Sequence, residues 1–247
     1  MTEMDRSLRP YLSMLERIRK FESFHERTNQ ALEHHPYLQA AKNGSLTLAQ
    51  RRAFCCEQFS IQHSDACSFA KLAGHDNFSC QRLVEAVLPE KVDDKDDLFH
   101  FLLGGELYAS KLLIQHAASL GLDGEDQIVQ AYQVTAEGQG YPSYWSRLAL
   151  NRQHGAAAAA CAVNFPAWGN MCRHLLQALK EGDYGYTSAD DDALAFIQFF
   201  ATPIENLDEM AAKIMHREKV EYEDIVTAVR LLQEYEVLFW DAAYKAK

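Results

Sequence analysis

Residues 229–243 read VRLLQEYEVLFWDAA, and their apolar side chains recur every three or four positions. This spacing places the apolar side chains on one face of an α-helix. The face is formed by Val229, Leu232, Glu236, Phe239, Trp240 and Ala243. Burying a carboxylate without a partner is costly. We therefore interpret Glu236, the only charge on this face, as an inward-pointing acid that is either functional or held by a neighbouring hydroxyl or Arg.

The helical period continues through most of the chain. Only 12 Gly and 6 Pro occur in 247 residues, and no strand-like alternation of any length is present. Predicted helices cover about Leu8–Leu32, Leu48–Ala73, Phe78–Leu88, Leu98–Leu120, Glu125–Ala136, a segment from Tyr144, His154–Leu179, Asp190–Ala201, Ile204–His216 and Glu221–Tyr244. Pro36 is expected to stop a helix, and residues 137–144 are expected to form a loop. Because no linker divides the chain, residues 1–247 are predicted to form one all-α domain.

The charge balance limits the classes of partner. Asp and Glu total 35 against 24 Lys and Arg, a formal net charge of -11. Such a surface repels phosphate backbones and anionic lipid, so neither nucleic acid nor a membrane is an expected partner. No apolar run approaches the ~20 residues of a spanning helix, and the N-terminus lacks the features of a signal peptide. A cytoplasmic location is expected.

The cysteines predict neither a disulfide framework nor a zinc site. They are Cys55, Cys56, Cys67, Cys80, Cys161 and Cys172, with no CxxC pair and no zinc-ligand spacing. Cys161 differs from the others because it lies in AAAAACAVNFPAWGN (156–170), where small residues precede an aromatic cluster. A thiol beside an aromatic cavity is a candidate nucleophile if an acid or base activates it. The alternative is a buried, unreactive cysteine.

Two further acids lie on apolar helix faces. Glu106 follows Leu102 on such a face, and Glu57 shares one with Phe54 and Ile61. Inward carboxylates on separate helices suit either an acid/base pocket or a metal site in a helical bundle, unless some of them reach solvent through a groove. Only Glu22–His25 has the Glu-x-x-His spacing of a di-iron carboxylate site, and nucleotide-binding motifs are absent.

Three segments together resemble a known family. They are HHPYLQAAKNGSLTLAQRRAF (34–54), CCEQFSIQHSDACSFAKLA (55–73) and EYEVLFWDAAY (234–244). They are similar to segments of the TenA family (thiaminase II, aminopyrimidine aminohydrolase), which belongs to the heme-oxygenase-like superfamily with the pyrroloquinoline-quinone synthase PqqC. The resemblance implies a single helical bundle with an enclosed central pocket, a small-molecule substrate, and a homodimer or homotetramer.

The resemblance also implies roles for individual residues. Glu236 matches the family's catalytic glutamate, and Cys161 matches its nucleophilic cysteine. The implied substrate-binding residues are Glu57, Tyr141, Phe165, Phe200 and, from its helix face, Glu106. Phe165 and Phe200 stand where the family has tyrosines. A pocket that has lost polar groups rejects a polar substrate strongly, so a substrate that diverges from aminopyrimidines is expected.

Two alternatives remain on the same fold. The first is a PqqC-like or iron-dependent oxidase that uses Glu57 and Glu106 with His63 or His100. Residues 57–62, EQFSIQ, look like a PqqC helix without its Arg, and residues 220–247 contain no His, which argues against the H-x-x-x-D-x-x-H pattern of related di-iron oxidases. The second is a non-catalytic small-molecule binding protein. No metal site and no cofactor are expected, with iron left open.

Overall fold

The computed structural model describes residues 3–79, 81–91, 97–186 and 191–247. These ranges contain a 3-10 turn at Leu83–Glu85 and no residue in a β-strand. Their helices are α1 (Glu3–Phe21), α2 (Ser23–Glu33), α3 (Pro36–Lys42), α4 (Leu48–Leu72), α5 (Asp97–Ser119), α6 (Gly124–Ala131), α7 (Ala136–Leu150), α8 (His154–Glu181), α9 (Asp191–Ala201), α10 (Leu207–Glu218) and α11 (Tyr222–Lys245). The predicted all-α fold is confirmed. No described helix has the length and hydropathy needed to traverse a bilayer.

The first two predicted boundaries differ from the structure. The helix expected over Leu8–Leu32 is divided at Glu22, whose backbone is extended. Pro36 does not stop a helix but begins α3, because a proline in the first turn removes no intrahelical hydrogen bond. The His35 ring caps that turn, with Nδ1 accepting from the Tyr37 amide at 3.1 Å. By contrast, α4 begins at Leu48 as predicted, and Thr47 and Gln50 form a capping box there.

The loop predicted at residues 137–144 is helical. α7 begins at Ala136, and the Thr135 hydroxyl accepts from the Gly138 amide at 3.0 Å. The glycines that suggested a loop instead allow close packing, since a Cβ at Gly140 would lie 2.6 Å from the Tyr235 ring. The helix predicted over Phe78–Leu88 is also wrong, because the described residues of this range form only the 3-10 turn. Cys80, residues 92–96 and the predicted start at Asp190 lie outside the described residues.

Helix α8 runs through the middle of the bundle. Residues 155–164 are all buried, and they include the alanines at 156–160. Small side chains allow the neighbouring helices to approach the α8 backbone closely, and α3, α7, α9, α10 and α11 pack against α8. The apolar face predicted for α11 is buried in full, from Val229 to Ala243. This packing carries Glu236 into the interior.

The contact between α7 and α11 can be tested at Gly140. A Gly140→Ala substitution forces Tyr235 to move, and we expect it to lower the free energy of unfolding by about 1–3 kcal/mol. Gly104→Ala on α5 is the matched control, because its Cβ would lie 3.5 Å from the Leu88 side chain, an ordinary contact. Alanine favours a helix by ~1 kcal/mol over glycine, so the control should be neutral or stabilised. Urea unfolding measures both, and equal stabilities would contradict this packing.

Candidate active site

A cavity of about 1150 Å³ opens inside the bundle. Its wall carries the acids Asp65, Glu106 and Glu236 and the rings of Tyr141, Phe165, Trp168, Phe200 and Phe239. The acids come from α4, α5 and α11, so three helices aim carboxyl groups at one space. Phe101 and Pro166 are exposed at the mouth. The cavity therefore has an aromatic wall and an acidic interior.

Glu236 is buried, and its carboxyl makes no close, well-aligned hydrogen bond. Its side chain is 2% exposed, and among the described residues only the Trp240 and Asn164 side chains approach its oxygens, with poor geometry. Burial raises the pKa of Glu236 to about 8, while weak hydrogen bonding from Trp240 and Asn164 acts in the opposite direction. The carboxyl is consequently protonated for the most part at neutral pH, and it can give or take a proton near that pH.

Tyr141 lines the cavity, and it is hydrogen-bonded to Asn164, a buried residue that does not line it. The Asn164 amide donates to the Tyr141 hydroxyl at 3.1 Å, and Asn164 Oδ1 has no partner within the described ranges. Burial raises the pKa of Tyr141, and the charges of Asp65, Glu236 and Cys161 add to the effect. Tyr141 therefore lies within electrostatic range of all three groups, and its phenol stays protonated.

Cys161 lies next to the cavity but is not part of its wall. The side chain is fully buried, three residues before Asn164 on α8. Burial raises the pKa of Cys161, and the negative charge of Asp65 raises it further. The group is therefore a thiol at neutral pH, and it becomes reactive only if a base takes its proton and the wall opens.

Glu57 is not in the cavity, contrary to its predicted role in substrate binding. One carboxylate oxygen accepts from the Thr135 amide at 2.8 Å and from its hydroxyl at 2.9 Å, and the other accepts from Gln139 Nε2 at 2.6 Å. Glu57 thus binds the N-terminus of α7, where a helix favours negative charge. Its neighbour Gln58 lines the cavity instead, because one residue along a helix is a rotation of about 100°.

Sequence reasoning missed Asp65. This residue lies on α4 and lines the cavity with Glu106 of α5. Burial raises the pKa of both carboxyls, that of Glu106 to about 8, and the charge of Glu106 raises the pKa of Asp65 further. A signal was present, since Asp65 falls between the buried residues Ile61 and Phe69 at a spacing of four.

The two phenylalanines predicted to bind substrate do line the cavity. Phe165 lies near the mouth, and Phe200 contacts Trp168 edge to face at 5.8 Å. Trp168 also packs on Trp240 at 5.3 Å. These rings form a surface suited to a flat ligand, and they supply no hydroxyl group for hydrogen bonding.

The residues proposed for an iron site are not brought together. The ring of His100 lies 5.7 Å from that of His75, and neither His100 nor His63 lines the cavity. Glu22 accepts from the Tyr222 hydroxyl, whereas His25 contacts Gln233. In the described part of the chain, no group of three or more His, Cys, Asp or Glu side chains could hold a metal ion. These donor sets do not fit the iron-dependent alternative.

The fold and the cavity define a helical-bundle protein with an internal cavity. A family model described as the TENA/THI-4/PQQC family matches residues 23–246. The chain belongs to this family. No curated protein matches the chain.

Solved structures share the fold at low sequence identity. A TenA homologue from P. horikoshii OT3 has a TM-score of 0.68 and 13% identity, covering 94% of this chain and 98% of that one. A TenA homologue from Pseudomonas syringae pv. tomato has a TM-score of 0.63 and 13% identity, with coverages of 98% and 90%. A TenA homologue from Pyrococcus furiosus has a TM-score of 0.61 and 16% identity, covering 93% of this chain and 98% of that one.

The raised pKa of Glu236 predicts a pH-dependent stability. The unfolded carboxyl titrates near 4.5 and the folded one near 8, so the folded state binds the extra proton between these values. The free energy of unfolding therefore falls as the pH rises through this window. Glu236 alone lowers it by on the order of 1 kcal/mol per pH unit. Glu236→Gln removes that loss. Relative to the wild type, the variant should gain stability from pH 5.5 to 7.5 in urea unfolding.

Glu234→Gln is the matched control for this experiment. Glu234 lies on the same helix but is exposed and pairs with Arg230 at 2.9 Å. Its replacement should not change the slope of stability against pH. If Glu236→Gln shows the same slope as the wild type, the buried carboxyl does not hold its proton as described.

The structural role of Glu57 gives a separate prediction. Glu57→Ala leaves the Thr135 and Gln139 donors without their acceptor, and it should destabilise the protein by about 1–3 kcal/mol. Glu33→Ala, at an exposed position in the last turn of α2, should cost far less. Chemical unfolding compares the two variants. An unchanged stability in Glu57→Ala would show that this carboxylate does not hold α7.

Proposed function

We propose that the protein is a TenA-type enzyme that hydrolyses a small amine-bearing heterocycle in this cavity. The observation that carries the proposal is Glu236, a carboxyl that keeps its proton at neutral pH and faces an aromatic cavity without a close, well-aligned hydrogen bond in the described ranges. Such a group is suited to proton transfer. Membership of the family supports an enzyme of this kind.

The cavity wall indicates how a heterocycle would bind. Its ring would lie against Phe165, Trp168 and Phe200, and its polar edge would meet Tyr141, whose hydroxyl accepts from the Asn164 amide. Because Phe165 and Phe200 carry no hydroxyl, the polar contacts concentrate at the acidic interior. This favours a substrate whose amine groups point inward and whose outer surface is apolar.

The reaction needs a nucleophile and a proton carrier. In the proposed mechanism ionised Glu236 accepts the Cys161 thiol proton, and Cys161 Sγ bonds to the carbon that bears the leaving nitrogen. Glu236 then protonates that nitrogen as the C–N bond breaks. Water next attacks the same carbon, the C–S bond breaks and the thiol is restored. The sum is replacement of an amine by a hydroxyl group at the expense of one water.

A second candidate function is small-molecule binding without catalysis. It is favoured by the position of Cys161, which lies behind the cavity wall with its thiol pKa raised. For the thiol to reach a ligand, a wall residue such as Tyr141 or Phe165 must move when the ligand binds. The two candidates share the cavity and differ in whether that movement occurs.

Turnover separates the candidates. The protein is incubated with 4-amino-5-aminomethyl-2-methylpyrimidine or with thiamine, and the release of ammonia and thiazole is followed. We expect turnover that is abolished by Cys161→Ala and reduced about 10²–10⁴-fold by Glu236→Gln. Cys55→Ala, at a buried position on α4 outside the cavity wall, is the control and should keep activity.

Two outcomes would count against hydrolysis. If neither compound is turned over, the assignment to these substrates fails, and thermal stabilisation by either compound would then support the binding role. If Cys161→Ala retains full turnover, hydrolysis proceeds without the thiol and the mechanism is wrong.

A further inference from the structure

We infer that Arg19 is a positioning residue, which holds the Ala162 carbonyl in place of a missing helix amide and thereby keeps the cavity wall closed over Cys161. The inference rests on the proposed function only for the role of the Cys161 thiol. It is tested by the chemical accessibility of that thiol, so an absence of turnover does not decide it.

Pro166 interrupts the hydrogen bonding of α8. In an α-helix the carbonyl of residue 162 accepts from the amide of residue 166, and a proline has no N–H to donate. Pro166 lies inside α8, so the Ala162 carbonyl loses its α-helical partner. Ala162 is buried, and a buried carbonyl without a partner costs free energy. Another donor is therefore needed at this point of the helix.

Arg19 of α1 supplies that donor from outside the helix. Its Nη2 donates to the Ala162 carbonyl at 2.8 Å. Asp208 of α10 orients the guanidinium, since its two carboxylate oxygens accept from Nη1 and Nη2 at 2.6 Å each. Hydrogen bonds from an ionised donor are stronger than those between neutral groups, and the bidentate pair fixes the plane of the guanidinium. One side chain thus connects α1 and α10 to the interrupted turn of α8.

The turn held by Arg19 separates the candidate nucleophile from the cavity. Ala162 directly follows Cys161, and Phe165 lies one turn after Cys161 on the same face of α8. Helical side chains point back toward the N-terminus, so Phe165 covers the turn that carries the thiol. Phe165 lines the cavity, whereas Cys161 does not. When the bond to Arg19 is lost, the turn can shift, and the thiol becomes reachable from the cavity.

A general role of Arg19 in joining helices makes a different prediction. If the guanidinium only ties the helices together, its loss loosens the bundle and exposes all the buried thiols alike. Cys172 allows the comparison, since it is fully buried on the same helix and does not line the cavity. A positioning role at the Ala162 carbonyl instead changes the accessibility of Cys161 alone.

The experiment treats the folded full chain with iodoacetamide at pH 8 and follows the labelling of Cys161 and Cys172 separately by peptide mass spectrometry. The labelling rate of a buried thiol reports how often its surroundings open. Arg19→Gln should raise the labelling rate of Cys161 about tenfold or more, because a charge-assisted hydrogen bond is lost. Asp208→Asn should change the rate in the same direction. The rate of Cys172 should change far less in both variants.

Lys20→Gln is the matched control, because it removes one positive charge from the neighbouring position of α1 and breaks only an exposed pair with Glu16. It should leave both labelling rates unchanged. The inference is overturned if Arg19→Gln does not change the labelling of Cys161. It is also overturned if the rates of Cys161 and Cys172 rise alike.

A Pro166→Ala background tests the role of the freed carbonyl. Alanine at this position returns an N–H to the helix, so the Ala162 carbonyl regains its own partner. Arg19→Gln should then raise the labelling rate of Cys161 by less than about twofold, since the two substitutions act on one hydrogen bond. An equal increase in the wild-type and Pro166→Ala backgrounds would overturn the inference. If Pro166→Ala does not fold, the comparison of Cys161 with Cys172 in the other variants decides.

Discussion

The burial of carboxyl groups away from water is the constraint on which the site depends. Asp65, Glu106 and Glu236 all lie in the cavity wall, and burial raises the pKa of each. Holding these groups in a helical core costs stability, because an apolar residue of similar size would avoid the desolvation and the unpaired oxygens. A ligand that pairs with these groups would recover part of the loss.

The surrounding helices keep these carboxyls in place. α8 presents only small side chains over residues 156–160, which allows α7 and α11 to pack closely beside it. Gly140 brings α7 against Tyr235 of α11, and Glu57 binds the first turn of α7. Together these contacts hold Tyr141 in the cavity wall, within electrostatic range of Asp65 and Glu236. Glu57 was predicted from the sequence to bind substrate. In the structure it positions α7, the helix that carries Tyr141.

The sequence could predict features set by the pattern within one helix, but not features set by contacts between helices. The α11 face is a long, regular pattern with one charge, so the inward direction of Glu236 could be read from it. The sequence could not show whether Glu57 or Gln58 faces the cavity. Adjacent side chains on a helix point about 100° apart, and tertiary packing sets which of them faces inward. α7 was missed because Gly138 and Gly140 are also typical of loops, and their role depends on side chains of α4 and α11. The position of Cys161 behind the wall likewise depends on contacts between helices.

The central claim is that Glu236 keeps its proton at neutral pH because it is buried and makes no close, well-aligned hydrogen bond. Carbon-13 NMR of protein labelled at the glutamate side-chain carboxyls tests this claim directly, with the Glu236 signal assigned by its absence from Glu236→Gln. The account predicts that this signal titrates near pH 8, well above those of the exposed glutamates. A midpoint near 4.5, the ordinary value for a solvated glutamate, would contradict it.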